Sequence, residues 1–213
     1  MRNFILTVFA VVAASSGCFA ADEFQAAIER LGRLEVPPRL SAELRARIVA
    51  SLPAEGEVTA LTANQREKLD AVTPVLKAHG REGDYLVKVV RSRQARLAIY
   101  ARSVVLITDT ALRLLSARQI QALVAHEIGH DYVWEAFEEA RRRRDFARMR
   151  ELELVCDGVA IQTLHRMGEP VSALIDGLRL MTNSDLANGI EVDDRSHPSM
   201  VERARFARRV MPR

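Results

Sequence analysis

Residues 126–130 read His-Glu-Ile-Gly-His, and no other stretch constrains this 213-residue chain so tightly. In a helix, side chains four apart stand one turn above each other, so His126 and His130 share a face and can grip a single ion. Glu127, beside the first imidazole, can reach a water bound to that ion. Zinc prefers such a set: two nitrogens, a third protein ligand and one position open to water. Only five His occur in the whole chain, so composition alone does not account for the spacing.

Local signals make the helix. Ser116 followed by Gln119 is a capping-box start. Ile120, Leu123, Val124 and Ile128 recur at helical spacing as a buried stripe. Gly129 costs roughly 1 kcal/mol of propensity against Ala, and a small residue there is what close approach of another backbone needs. A third ligand is expected in the run from Glu151 to Asp157. Glu153 and Asp157 are i,i+4 partners. One carboxylate can bind the ion while the other accepts a hydrogen bond from the far nitrogen of a ligating His, which fixes its tautomer. Glu151 is the alternative third ligand.

The order His-Glu-x-x-His, then Glu-x-x-x-Asp on a following helix, resembles the gluzincin metallopeptidases. The closer similarity is to the HtpX/BepA group, which includes the mitochondrial OMA-type proteases and the CAAX prenyl endopeptidases. Two further segments carry it: the strand-like Ser103 to Thr108 leading to Leu112 and Leu114-Leu115, and His197-Pro198-Ser199-Met200-Val201-Glu202-Arg203. The resemblance covers roughly residues 84–210. It implies a zincin-like domain, α+β and mainly helical, with a small antiparallel sheet packed on the helix of the zinc motif. It also implies one zinc ion on His126, His130 and Glu153, with Glu127 as general base and Asp157 hydrogen-bonded to His126. By the same resemblance His197 is an extra metal contact and Arg203 a transition-state or substrate contact. The chain departs from the family in placing Cys156 where Ala is usual and in having no glycine pair before 103–108. It also has neither a membrane-spanning helical bundle nor tandem helical repeats.

Residues 1–20 read as an address. Arg2, the apolar run Phe4 to Ala14 and the small residues before Ala21 form a Sec-type signal peptide, cut after Ala20, which directs the chain to the periplasm. Acylation of Cys18 is the alternative reading. Cleavage leaves Cys156 as a lone cysteine with a buried, small apolar role. It also leaves thirty basic against twenty-eight acidic side chains, a balance that argues against a nucleic-acid binder. The run Arg141 to Arg144 follows Glu135, Glu138 and Glu139, the pattern of a salt-bridged, solvent-facing hairpin tip.

The expected organisation is a leader at 1–20, a helical segment at 21–80 and a catalytic domain at 81–213, with 21–213 as one compact unit. Helices are expected over 22–35, 41–52 and from 62, with Pro74 kinking or restarting the third. Strands at 85–90, 97–100 and 104–108 precede helices near 116–140, 148–167, 170–182 and 198–209, the last capped by Ser196. His79 and His165 read as helix-end residues that complement the dipole. The expected function is a zinc metalloendopeptidase whose extended or misfolded envelope-protein substrates lie along the 103–108 strand. No membrane span is expected in the mature chain, only peripheral contact with the envelope. A non-catalytic, zinc-stabilised periplasmic chaperone is the alternative, and an adaptor built on the basic helix at 141–150 ranks third.

Overall fold

The computed structural model describes residues 16–52, 56–191 and 195–211. The fold is α+β and mainly helical. Helices α1 (Ser16–Leu31), α2 (Ala42–Ala50), α3 (Ala63–Asp70) and α4 (Val72–Ala78) precede strands β1 (Leu86–Val90), β2 (Leu97–Tyr100) and β3 (Val104–Thr108). Then come α5 (Asp109–Leu114), α6 (Ala117–Arg143), α7 (Phe146–Met167), α8 (Ser172–Ala187) and α9 (Met200–Val210).

Helix boundaries follow their caps. Ser116 with Gln119 and Thr62 with Gln65 form capping boxes at α6 and α3. Pro74 falls in the first turn of α4, where its missing N–H costs nothing, so the chain breaks at Ala71 and restarts. Ser199, boxed with Glu202, caps α9 in place of the expected Ser196. Ser196 is instead buried against the His197 ring, its hydroxyl 3.0 Å from Nδ1. Most of the expected leader, residues 1–15, lies outside the described residues, and α1 starts ahead of the expected Asp22. Among the described residues no helix is long and apolar enough to cross a membrane.

The sheet differs from expectation in two ways. Its order is β1-β3-β2, with β1 parallel and β2 antiparallel to β3, so it is mixed rather than antiparallel. Strand β3 is therefore central. Val104, Val105, Ile107 and Thr108 are all buried, and both its edges are hydrogen-bonded. No peptide can add to 103–108, and the open edge on that side belongs to β2. A run of β-branched residues signals a buried strand but not its neighbours.

Helices α6 and α7 form the central hairpin, turning at Arg144, which adopts a left-handed φ of 55°. A Cβ placed on Gly129 would lie 2.7 Å from Cys156 Cα, so the backbones of α6 and α7 approach too closely for any side chain there. One apolar cluster joins the sheet, α4, α5, α8 and the first half of α6. A second joins α1, the later half of α6, the first half of α7 and Phe206 of α9. Residues 126, 130, 153 and 157 lie in the seam between the two. The hairpin tip is exposed, with Glu138 and Glu139 paired to Arg141, Arg142 and Arg143 as expected.

Candidate metal centre

Helix α6 presents His126 and His130 toward the face of α7 that carries Glu153 and Asp157. The Nε2 of His126 lies 3.3 Å from Glu153 Oε2, and the Nε2 of His130 lies 3.5 Å from Glu153 Oε1. His126 Nδ1 is 2.9 Å from Asp157 Oδ1. With that bond holding one ring nitrogen, Nε2 of His126 is directed at Glu153. The i,i+4 spacing on both helices places all four groups because the helices pack side by side at Gly129.

Glu151, the alternative ligand, is on another face of α7. It is buried between Arg30 and Arg148, with Arg30 Nε 3.1 Å away. Geometry therefore separates two acids that sequence left in competition.

Glu127 offers its carboxylate in the same cluster: ligand atoms of His126, Glu127 and His130 all lie within 4.8 Å of one another. Its Oε2 accepts a hydrogen bond of 3.1 Å from the backbone N–H of Ile99 in β2. Burial pushes the Glu127 carboxyl up to about 7, against the pull of His126. A carboxylate near neutrality can both take and return a proton.

Arg203 enters from α9. Its Nη2 is 3.0 Å from Glu153 Oε2 and its Nη1 2.6 Å from Asp157 Oδ1, and the residue is 4% exposed. The guanidinium lies against both acids and holds them, a different partner set from the expected substrate contact. His197 is half exposed, with Nε2 3.7 Å from Glu153 Oε1. It stands at the rim of the same cluster.

The electrostatics are strongly coupled. Burial disfavours a charged His126, but its bonds to Asp157 and Glu153 outweigh that and raise it to about 10. Burial lowers His130 to about 4. Burial alone would raise Glu153, yet His130, His126 and Arg203 together hold it well below the usual carboxylate range. Two buried carboxylates thus demand positive charge at the His126 ring.

A divalent cation answers the same demand. Ligand atoms bound tetrahedrally at 2.0–2.1 Å stand roughly 3.3–3.4 Å apart; the two Nε2 atoms meet different oxygens of Glu153, Oε2 at 3.3 Å and Oε1 at 3.5 Å, while the ligand atoms that cluster within 4.8 Å of one another are those of His126, Glu127 and His130. Two imidazole nitrogens and one carboxylate, with an outer carboxylate on Nδ1, form a donor set that suits zinc. The residues fit the ion.

Two features of the site had no sequence signal: the Ile99 amide on Glu127 and, although the resemblance placed Arg203 near the site, its pairing with Glu153 and Asp157. The Ile99 amide belongs to the backbone, which no residue letter reports. Arg203 lies 46 positions from Asp157 and 50 from Glu153, and no local period links such positions. No family model matches this chain, and no curated protein matches it either.

Proposed function

We propose that this chain is an exported, zinc-dependent endopeptidase with a zincin-like centre, acting on extended or misfolded protein segments in the periplasm. The observation that carries the reading is the cluster of His126, Glu127 and His130 ligand atoms within 4.8 Å of one another, with the Glu153 carboxylate 3.3 and 3.5 Å from the two Nε2 atoms. His126, His130 and Glu153 would hold the zinc. Zinc, when bound, acts as a Lewis acid and brings the pKa of water near neutrality.

The chain's own residues do the rest. Asp157 keeps the His126 ring in one tautomer, and Arg203 bonds Glu153 and Asp157 together and helps hold Glu153 ionised. Glu127 takes a proton from the attacking water and passes it to the leaving amine. The Ile99 N–H orients that carboxylate.

The substrate's path follows from the sheet. Thr108 N–H donates to the Arg96 carbonyl, so Arg96, Ala98 and Tyr100 turn their backbone groups toward β3. Leu97 and Ile99 turn theirs away from β3, and the Ile99 N–H meets Glu127. An extended peptide pairing with this edge through Leu97 would lie beside the carboxylate that the Ile99 N–H holds, which favours unfolded over folded substrates.

The test uses the purified chain, metal analysis and an unfolded protein substrate. The expected result is one zinc per chain and cleavage that stops with chelator and returns with zinc. Glu127→Gln should keep its zinc and lose 10²–10⁴-fold in rate, roughly the worth of a general base. Cleavage that ignores the chelator, or that survives Glu127→Gln undiminished, overturns the reading.

A further inference from the structure

Four residues after Glu127, one turn on along the same face of α6, stands Asp131. It is 3% exposed and engages two guanidiniums: Arg81 Nη2 lies 3.1 Å from Oδ2, and Arg102 Nε bonds Oδ1. The candidate metal centre uses neither arginine.

Arg102 lies in the two-residue turn that joins β2 to β3. The Ser103 N–H donates to the Tyr100 carbonyl at 3.0 Å, and the residues between, Ala101 and Arg102, have φ of 45° and 56°. Positive φ at both central positions marks a type I′ turn, whose twist matches the flanking strands and whose usual residues are Asn and Gly. With a Cβ on each, Ala101 and Arg102 take this left-handed backbone against a steric penalty. Such a turn persists only where its surroundings hold it. Arg102 is held on two sides. Besides its bond to Asp131, its Nη2 donates to the Pro38 carbonyl at 2.8 Å.

The hairpin is thereby tied to α6 at two successive turns of the helix. The Ile99 N–H meets Glu127, and three residues on, Arg102 meets Asp131. Strand β2 is bonded to β3 on one side alone. Among the described residues, these two ties are the polar contacts that seat its outer side on α6. The first is a single hydrogen bond of 3.1 Å to an outward-facing amide. The second joins a guanidinium to a buried carboxylate, and charge-assisted bonds are the stronger kind.

We infer that Asp131 is a positioning residue: through Arg102 it holds the left-handed turn, and so sets the Ile99 amide and the edge of β2 against Glu127. Arg81, from the chain between α4 and β1, balances the second oxygen and keeps the carboxylate in place. The consequence for catalysis rests on the endopeptidase reading, in which Glu127 moves the proton and substrate lies along this edge.

Amide exchange of the full, metal-free chain, followed residue by residue by NMR, tests the tie without substrate or zinc. Arg102→Gly removes the guanidinium where glycine suits the φ of 56°, so the turn can still form. The Ile99 N–H should then exchange roughly tenfold faster or more, while the amides of β1 keep their rates. Ala101→Gly relieves the turn but keeps the guanidinium, so Ile99 should stay slow and the thermal midpoint should rise. With zinc, Arg102→Gly should keep its metal and lose roughly tenfold to a hundredfold in kcat on an unfolded protein. Asp131→Asn should do the same, and Arg102→Gly carries the test if that variant does not fold. Unchanged Ile99 exchange in Arg102→Gly overturns the inference. So does equal acceleration throughout the sheet, which marks a plain loss of stability. A kcat that ignores faster exchange at Ile99 overturns the positioning role. Faster exchange at Ile99 alone, in a chain that cleaves nothing even before substitution, supports the tie and overturns the endopeptidase reading instead.

Discussion

Arg203 shows how one side chain can set the state of its neighbours. It is buried and bonds Glu153 and Asp157 at once. Removing one member of a buried ion pair typically costs about 3–5 kcal/mol, because the remaining charge is left without compensation. Arg203→Met should lose that much stability by urea unfolding, and saturating zinc should recover part of it by replacing the positive charge. Arg203→Lys should not rescue fully, since an ammonium lacks the fork that spans two carboxylates. His79 carries a different signature. Sequence assigned it to a helix end as a charge complementing the dipole; it is indeed the C-cap of α4, but its ring is buried beside Tyr132 and Thr163. Thr163 donates to the Val159 carbonyl, so its oxygen accepts from His79 Nε2–H, and Nδ1 accepts from the Tyr132 hydroxyl. This arrangement needs a neutral ring. Burial, then Arg166 and Arg81, lower its pKa from 6.5 to about 4. The unfolded chain therefore takes up the proton first as pH falls. The stabilising contribution is whole above pH 6.5 and is lost between 6.5 and 4, in total about 3 kcal/mol. His79→Gln should flatten the stability profile in that window. An unchanged slope would refute the assignment.

At the scale of elements, the contact of α6 with α7 governs the centre. Sequence marked Gly129 as a place where a backbone could approach. The neighbour is the buried Cys156. A methyl at 129 would meet Cys156 Cα at 2.7 Å and Cβ at 2.9 Å. The nearer atom is backbone, so trimming the cysteine cannot make room. Gly129→Ala should cost roughly 3 kcal/mol, the upper end for overpacking, and should lower metal content by forcing the helices apart. Cys156→Ala alone should cost about 1 kcal/mol or less, and the double variant should stay as unstable as Gly129→Ala. Thermal unfolding with metal analysis checks all three; rescue in the double variant would contradict the argument. Capping boxes made the starts of α3 and α6 readable because a cap is a contact across three residues. Strand order was not readable. Hydrophobic runs located β1, β2 and β3, but the parallel pairing of β1 with β3 depends on which surfaces the flanking helices cover.

For the whole molecule, a metal held only by the native arrangement must stabilise it. Zinc at about one hundred times its dissociation constant adds about 2.7 kcal/mol. For a chain of this size that raises the thermal midpoint by roughly 5–10 °C. Calorimetry with chelator and with added zinc should show this shift, and a midpoint insensitive to both would exclude the ion from the native structure. The spacing of His126 and His130, the pairing of Glu153 with Asp157 and the helical character of the chain's second half were decided by sequence. Each is a relation within one segment, and the 3.6-residue period writes such relations into the order of the letters. The preference for Glu153 over Glu151, the Ile99 amide on Glu127, the clamp of Arg203 and the tie of Arg102 to Asp131 were decided only by tertiary structure. They join segments tens of residues apart, and which of those meet depends on how buried surfaces pack, a property that no local period carries.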